Sequence, residues 1–455
     1  MSAPRSQDDA AGVVASLRAS GIAAVAVTIV DNAGIARVKT VPLAGLERAA
    51  RWGVGLSPVF DVCTVDDAFT STGEVDGPTG DLRLLPDLGA ARVIAAQPGW
   101  AWAPADQRTQ DDEVFGCCQR SFARRMAGAA AARGLELRVG SELEWFLGRD
   151  NGGDPVPADS GPAYGFAALA EVSEYARELI AAFVDSGIEI GQFHPEYVPG
   201  QLEVSLPLGD PVAAGDLNVV SRQLIRAVSA GHGWRASFSP VVVPEQVGNG
   251  GHLHFSLWRD GGNLLAGGHG PHGMTETGEA FIAGVLAELP ALMAVGAPSV
   301  ASYLRMKPSH WAGVYGCWGR ENREAAVRFV TGMTGSEPTA ANCEVKCFDP
   351  SANPYLAIGA VIAAGLAGAD RGLGLPAELL GDPAERSPDE LRSLGVERLP
   401  TALDQSLGAL EQSKVIPEAM GPMLFDAFLA VRRAEWETFG DAEPAHVAAA
   451  HRWRY

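Results

Sequence analysis

Short segments of apolar residues, or of alternating apolar and polar residues, recur along the chain, and this pattern is typical of β-strands. Six such segments are 22–30, 137–147, 201–206, 235–243, 251–258 and 343–348. The sequence DNAG at 31–34 predicts a turn after the first segment, so that VKTVPL returns beside it as a second strand. A further short strand is predicted within the stretch 76–87, which is rich in Gly, Pro and Asp.

Longer segments repeat their apolar residues with the period of an α-helix. They are 11–20, 113–133, 171–186, 213–231, 275–295, 354–369 and 418–439. The longest uninterrupted apolar run, Leu356–Ala369, has fourteen residues, whereas a helix that spans a bilayer needs about 20. We therefore predict a buried helix at this run and no association with a membrane.

A polar stretch, APADQRTQDD at 103–112, precedes the first long helix. It is the predicted boundary between two domains, 1–112 and 113–455, because 455 residues exceed the length of a typical single domain. The first domain is predicted to be small and mostly β, and the second to be large and α+β. Hydrophobic residues make up 47% of the chain, which is ordinary for a globular protein with a substantial core.

The charge of the chain excludes some classes of partner. Lys and Arg number 35 and Asp and Glu number 55, so the formal charge is −20, which argues against binding to nucleic acid. An anionic ligand would therefore need local arginines. The six cysteines form no CxxC pair and the chain opens with the polar MSAPRSQDDA rather than a signal peptide, so we predict a reduced, cytoplasmic protein.

The segment VGSELEWFL at 139–147 places two glutamates on one face of its predicted strand. Successive side chains alternate between faces, so Glu142 and Glu144 point one way and the apolar side chains between them point the other. Two adjacent carboxylates repel each other and raise each other's pKa. The pair either lines the wet face of an edge strand or holds a cation between its carboxylates.

Three further segments carry acids or histidines on predicted strands. The candidates are Glu196 and Glu203 in HPEYVPGQLEV, His252 and His254 in GNGGHLHFSL, and Glu344 in NCEVKCFDP. Each residue alone has an ordinary explanation, as a solvated carboxylate or a hydrogen-bonded strand histidine. Together, carboxylates and imidazoles are ligands suited to Mg²⁺ or Mn²⁺, and such an ion would offset the repulsion between Glu142 and Glu144.

Arginines that suit a phosphate ligand follow further along the chain. Arg305 lies in SYLRMKP, and Arg323 and Arg328 lie in ENREAAVRF. A guanidinium group matches the oxygens of phosphate and carboxylate. The alternative for the last two is a surface ion pair with Glu321 or Glu324. The chain has no GxxxxGK[ST] motif, so a nucleotide would not be held by a P-loop.

Taken in order, these segments resemble the signature blocks of the glutamine synthetase family. The blocks are SELEWFL, HPEYVPGQLEV, GNGGHLHFSL, SYLRMKP, NREAAVRF and CEVKCFDPSANPYLA, while DNAGIARVK and GDLRLLPD resemble the family's N-terminal domain. The resemblance implies an α+β fold, with a β-grasp domain at 1–112 and a catalytic domain at 113–455 that has a curved antiparallel sheet flanked by helices. It also implies a dodecamer of two stacked hexameric rings, with each active site between neighbouring subunits.

The resemblance further implies a reaction and the residues that serve it. The family makes γ-glutamyl phosphate from L-glutamate and ATP, and an amine then displaces the phosphate. Two Mg²⁺ or Mn²⁺ ions per site would be held, one by Glu144, Glu196 and Glu203 and the other by Glu142, His252 and Glu344. ATP would be bound by His254, Ser256, Arg323 and Arg328, and glutamate by Glu144, Glu196, Gly248, Arg305 and Lys346. The implied catalytic residues are Arg305, Arg323 and Arg328.

The chain departs from the family pattern on the side of the amine. Glutamine synthetases carry a glutamate six residues after the arginine that corresponds to Arg305, and this chain has Trp311 there. Val247 replaces a usual asparagine, and Lys346 stands where an arginine is common. Trp311 either packs in an altered loop or forms an apolar wall for an organic amine, with Tyr164 as a second lining residue.

Ethanolamine is the predicted amine, since a polyamine has a second cationic end that favours a carboxylate and residues 307–311 (KPSHW) contain none. The enzyme would then support use of the amine as a nitrogen source. A γ-glutamylpolyamine synthetase and an ordinary glutamine synthetase that uses ammonia remain alternatives, as does a non-catalytic, ring-forming regulatory homologue. The base for the amine stays open. Asp61, Asp66 or Asp67 of a neighbouring subunit is a candidate.

Overall fold

The computed structural model describes residues 7–76 and 80–455, and its strands form two sheets. The strands of the smaller sheet are β1 Ala24–Val30, β2 Ala36–Pro42, β3 Val54–Leu56, β4 Leu82–Pro86, β5 Arg92–Val93 and β6 Trp100–Arg108. Their order is β2-β1-β6-β4-β3, with β5 beside β6. β1 and β6 run parallel in the middle of the sheet.

The larger sheet supplies the framework of the site. Its strands are β7 Glu136–Arg149, β8 Val156–Pro157, β9 Gln192–Pro195, β10 Gln201–Ser205, β11 Arg235–Ser237, β12 Leu253–Arg259, β13 Gly262–Asn263, β14 Tyr315–Arg320, β15 Ala325–Val330 and β16 Asn342–Val345. The main order is β14-β15-β16-β12-β7-β10-β9. Neighbouring strands are antiparallel except β14 and β15, which are parallel, so the predicted antiparallel sheet is confirmed apart from this edge.

Helices cover the sheets and carry most of the remaining core. In the N-terminal half they are α1 Gln7–Ala19, α2 Leu46–Trp52, α3 Gln119–Ala131, α4 Phe166–Glu171, α5 Ser173–Asp185 and α6 Pro211–Gly231. They continue as α7 Glu276–Ala287, α8 Leu289–Gly296, α9 Ser302–Arg305, α10 Glu337–Ala340, α11 Pro354–Arg371, α12 Pro388–Ser393, α13 Leu403–Gln412, α14 Ile416–Met420, α15 Pro422–Phe439 and α16 Pro444–His451. Short 3-10 turns lie at Leu43–Gly45, Pro58–Val62, Leu88–Ala90, Pro271–Gly273 and Pro383–Glu385.

The apolar run at 356–369 forms the buried helix that the sequence predicts. It lies within α11, which packs against α3 and α7. The side chain of Asn353 caps α11 by accepting hydrogen bonds from the backbone N–H groups of Tyr355 and Leu356. Its amide also donates to the carbonyls of Val30 and Asp31 at the end of β1, so the same residue ties the smaller sheet to the central helix.

Two predicted elements are shorter than expected because of proline. The strand predicted at 235–243 ends at Ser237, and Pro240, which follows, has no N–H for a ladder hydrogen bond. The helix predicted at 275–295 is divided at Glu288 into α7 and α8, since Pro290 in the first turn of α8 cannot continue the preceding helix. Strands β14 and β15 were not predicted.

The predicted division at residue 112 falls between β6, the last strand of the smaller sheet, and α3. It stays a prediction. Among the described residues no single helix is long and apolar enough to span a membrane, while α7 and α8 meet that criterion only as a pair bent by 71°. All six cysteines are buried and unpaired.

Candidate active site

Adjacent strands β10, β7, β12 and β16 bring the predicted acids and histidines to one face of the larger sheet. Glu203 on β10 lies opposite Glu144 on β7, and Glu344 on β16 lies opposite His254 on β12. The backbone N–H of Glu142 donates to the carbonyl of His252 over 3.0 Å. The other face of β7 carries Leu143 and Trp145 into the core, as the alternation in the sequence predicts.

Glu142, His252 and Glu344 form the first compact group of possible metal ligands. Nδ1 of His252 lies 3.0 Å from Oε2 of Glu142 and 3.2 Å from Oε1 of Glu344. Burial raises the pKa of Glu344, but the ammonium of Lys346 at 3.1 Å and the two histidines outweigh it and lower the pKa to about 2. Burial and the charge of Lys346 lower the pKa of His252, so its imidazole is held neutral, the form that binds a metal.

Glu144, Glu196 and Glu203 are buried close to one another on the other side of His252. They divide into two compact groups that share Glu203, one with Glu144 and His252 and the other with Glu196 and His194. Burial and the charges of the other two glutamates raise the pKa of Glu144 to about 8, and burial and Glu203 raise the pKa of Glu196 to about 7. Without a cation, Glu144 and Glu196 therefore favour their protonated forms, because three ionised carboxylates so close together would repel one another.

His194 is a residue of this group that the sequence pattern did not single out. Its Nδ1 lies 3.3 Å from Oε1 of Glu196, and its Nε2 lies 3.2 Å from Oε1 of Glu203. The hydrogen bond to Glu203 is the largest cause that raises the pKa of His194, to about 9. No local pattern in the sequence marks this residue, because His194 lies opposite Glu203 only through the pairing of β9 with β10.

The donor set fits divalent cations. Each of the three groups offers carboxylate oxygens and imidazole nitrogens that lie within 4.8 Å of one another. Glu144, Glu196, Glu203 and Glu344 are each at most 8% exposed, and burying several carboxylates together is costly unless a cation compensates them. Oxygen-rich sites with an imidazole suit Mg²⁺ or Mn²⁺. The division into two ions with the predicted ligands stays a prediction.

The residues predicted to bind glutamate surround the same groups. Buried Arg305 directs Nη2 to the carbonyl of Lys346 at 3.3 Å and lies 3.4 Å from Nε2 of His252. A Cβ at Gly250 would lie 2.5 Å from Nε2 of His252 and 2.6 Å from Oε1 of Glu144, so a side chain there would displace these two groups. A Cβ at Gly248 would lie 2.1 Å from the carbonyl oxygen of Pro240, so packing within the chain already requires glycine at that position.

Arg323 and Arg328 have different surroundings. Arg328 donates to Glu344 at 3.1 Å and to Glu321 at 3.0 Å, so it bridges the buried group and the surface. Arg323 is exposed, and its side chain has no ion pair with the described residues. The surface ion pair that the sequence left open is thus formed by Arg328 with Glu321, while Glu324 pairs with neither arginine.

The two predicted nucleotide-side residues lie further along β12. Nδ1 of His254 is 2.9 Å from Oδ1 of Asn342, and its Nε2 is 3.5 Å from Oε1 of Glu142. Burial opposes protonation, but the nearby carboxylates of Glu142 and Glu344 raise the pKa of His254 to about 9. The hydroxyl of Ser256 accepts a hydrogen bond from the indole of Trp258 at 2.8 Å and is buried. Their roles toward ATP stay predictions.

Aromatic residues line the approach to the acid groups. The hydroxyl of Tyr164 donates to Glu196 at 2.7 Å, and its ring stacks on His194 at 5.3 Å. Trp311 contacts Tyr197 edge to face at 4.9 Å, and the two rings are 42% and 44% exposed. Tyr197 was not among the predicted lining residues, although it directly follows Glu196 in the sequence.

The three candidate bases from 59–67 differ in their freedom to move. Asp61 is fully buried and accepts hydrogen bonds from the amides of Gln107 and Gln119 at 2.9 Å. Asp67 pairs with Arg37 and Arg454, and Asp66, which accepts the hydroxyl of Thr64, is exposed. Asp66 and Asp67 therefore lie on the surface, whereas Asp61 is held inside its own chain.

Known proteins share this sequence and architecture. Residues 116–449 match the family described as glutamine synthetase, catalytic domain. The chain is 52% identical over 455 residues to the gamma-glutamylpolyamine synthetase GlnA3 of Streptomyces coelicolor, which covers 99% of this chain and 98% of that protein. It is 29% identical over 395 residues to the glutamine synthetase of Methanocaldococcus jannaschii, which covers 85% of this chain and 86% of that protein. A crystal structure described as a novel glutamine synthase homolog matches with a TM-score of 0.85 at 32% identity and covers 95% of this chain and 99% of that chain. The chain therefore belongs to the glutamine synthetase family and is a ligase of that type.

Proposed function

We propose that the protein is an ATP-dependent ligase that joins L-glutamate to an organic amine through a γ-glutamyl phosphate intermediate. The observation that carries this proposal is the position of Trp311. Its exposed ring and that of Tyr197 form an aromatic corner where glutamine synthetases carry a carboxylate. The buried acid groups of the phosphorylation side are all present. The acid groups are retained and the Trp311 loop is altered, and this supports a change of amine substrate rather than loss of catalysis.

In the proposed reaction a γ-carboxylate oxygen of glutamate attacks the γ-phosphorus of ATP, and the bond from that phosphorus to ADP breaks. The amine nitrogen then attacks the γ-carbonyl carbon, the carbon–oxygen bond to phosphate breaks, and the nitrogen releases a proton to water or to a base. Arg305 orients the substrate carboxylate, and Arg323 and Arg328 stabilise the phosphoryl charge. Glu144, Glu196 and Glu203 would hold one divalent cation and Glu142, His252 and Glu344 the other, and these cations supply charge neutralisation when bound.

Two classes of amine have support. The relative in Streptomyces coelicolor that is 52% identical is named for polyamines, and this favours an amine with more than one cationic nitrogen. Ethanolamine is the second candidate, because residues 307–311 carry no carboxylate of their own and Lys307 is paired with Glu245. An amine with a neutral polar end suits a pocket of that composition, and the enzyme would then support use of the amine as a nitrogen source.

The remaining parts of the proposal concern the setting of the enzyme. We propose a cytoplasmic dodecamer of two hexameric rings, and the buried, unpaired state of all six cysteines fits a reducing compartment. Light scattering after size-exclusion chromatography tests the assembly. A hexamer or a monomer at working concentration contradicts it.

Phosphate release with ATP, glutamate and Mg²⁺ or Mn²⁺ fixed, measured across a panel of amines, tests the activity. We expect release that depends on both glutamate and an organic amine, with ammonium as a poor substrate. If ammonium gives the highest kcat/KM, the chain is an ordinary glutamine synthetase. If no amine supports release, the non-catalytic alternative is correct.

A further inference from the structure

Glu324 brings a carboxylate to the loop that lacks one in sequence. It is the last residue of the turn before β15, and its Oε1 accepts a hydrogen bond from the backbone N–H of Trp311 at 2.8 Å. Trp311, which replaces the family's glutamate, is therefore hydrogen-bonded to a carboxylate thirteen residues further along the chain. The sequence of the loop at 307–311 alone does not reveal the Glu324 carboxylate.

The carboxylate of Glu324 has capacity for a cation. Within the described residues it forms no ion pair, and the Trp311 N–H is the hydrogen bond that its side chain accepts. Lys346, whose charge acts on Glu324, is engaged elsewhere, since its ammonium pairs with Glu344 at 3.1 Å. Burial, with a contribution from the charge of Asp382, raises the pKa of Glu324, and a bound cation would oppose that effect.

The aromatic corner and this carboxylate together match an amine with two cationic ends. The rings of Trp311 and Tyr197 present apolar area for a methylene chain, and Oε2 of Glu324 offers an acceptor at its border. We propose that Glu324 is a specificity-determining residue that receives the distal ammonium of an α,ω-diamine or polyamine. The inference rests on the proposed function and selects among the amines that it allows.

A structural role for Glu324 makes a different prediction. Trp311 has a φ of 54°, a left-handed conformation that is unfavourable for a bulky residue, and the hydrogen bond from its N–H helps to hold it. Glu324→Gln separates the two roles, because the amide oxygen still accepts from the Trp311 N–H while the negative charge is lost. Glu385→Gln is the matched control, since it removes one exposed negative charge from a neighbouring loop.

The experiment compares three amines with the same four-carbon chain, 1,4-diaminobutane, 4-aminobutan-1-ol and butylamine, whose distal ends carry an ammonium, a hydroxyl and no polar group. For the wild type and both variants we would measure kcat/KM by phosphate release with glutamate and ATP saturating. We expect the ratio of kcat/KM for the diamine over butylamine to fall about tenfold or more in Glu324→Gln, because only the diamine loses a charged hydrogen bond. The ratio in Glu385→Gln should equal that of the wild type.

Other results would contradict the role of Glu324, the charge of the distal group or the proposed ligase activity. If Glu324→Gln lowers kcat equally for all three amines, Glu324 acts on the loop or on the attacking nitrogen and not on the distal cation. If the wild type prefers the amino alcohol to the diamine, the distal group is neutral and the inference is wrong while the proposed ligase stands. If the wild type uses none of the three amines, the proposed function itself fails.

Discussion

The acid groups and the Trp311 loop lie in the same catalytic domain but are built in opposite ways. The acids extend from neighbouring strands, and Glu344 alone contacts His252, Arg328 and Lys346. The loop has left-handed backbone at Ser309, Trp311 and Gly313, and it exposes its aromatic ring. Substitution of a charged residue on the sheet disrupts several contacts at once. Substitution in the loop disrupts few contacts, so the loop can change the choice of amine without disturbing the acid groups.

Removal of a buried acid should have the largest effect. Glu344→Ala deletes a predicted metal ligand and leaves Lys346 and Arg328 without their buried partner, so we expect activity to fall by more than about a hundredfold. Phosphate release at saturating Mg²⁺ measures it. Glu321→Ala, which removes the exposed partner of Arg328, is the comparison and should be far milder. Near-normal turnover in Glu344→Ala would contradict the metal assignment.

A change in the loop should alter the choice of amine. Trp311→Glu removes the aromatic surface that contacts Tyr197 and with it the burial of two or more methylenes, at about 0.8 kcal/mol each. We expect kcat/KM for organic amines to fall about tenfold relative to ammonium, and Trp311→Phe should retain most of the preference. Unchanged ratios in Trp311→Glu would show that the indole does not select the amine.

The smallest predicted effect is on thermal stability, and it concerns the charge of the buried acid groups. The fold raises the pKa of Glu144 from 4.5 to about 8 and that of Glu196 from 4.5 to about 7. At a pH between the ordinary and the raised pKa, the native state therefore binds more protons than the unfolded chain. The free energy of unfolding therefore falls as pH rises through this interval. We expect chelator-treated protein to lose a few degrees of Tm between pH 6 and pH 8.

Added Mg²⁺ should reduce that loss, because a bound cation favours the ionised carboxylates. Burial also raises the pKa of Asp61 to about 7, and this residue is hydrogen-bonded to Gln107 and Gln119 rather than to any predicted ligand. Its share of the slope should persist with Mg²⁺, and Asp61→Asn should remove that share. An equal loss of Tm with and without Mg²⁺ would contradict cation binding by Glu144 and Glu196.

Much of the fold and of the acid groups was predictable because strand alternation is a local property. The pattern around Glu142 and Glu144 separates an apolar face from a charged one, and the structure confirms that separation. Proline limited the accuracy at Ser237 and Glu288, where the apolar pattern continues but the hydrogen-bonding ladder does not. The parallel edge strands β14 and β15 were missed.

The order of residues along the chain determined the family, the chemical types in the site and the departure at Trp311. Only the tertiary structure decided which groups meet. His194 joins Glu203 through the register of β9 and β10, Lys346 neutralises Glu344, and Glu324 returns a carboxylate to the Trp311 loop. The physical reason is that charge acts through space and over a few ångströms, while the partners that supply it are separated in sequence by distances that local periodicity does not encode.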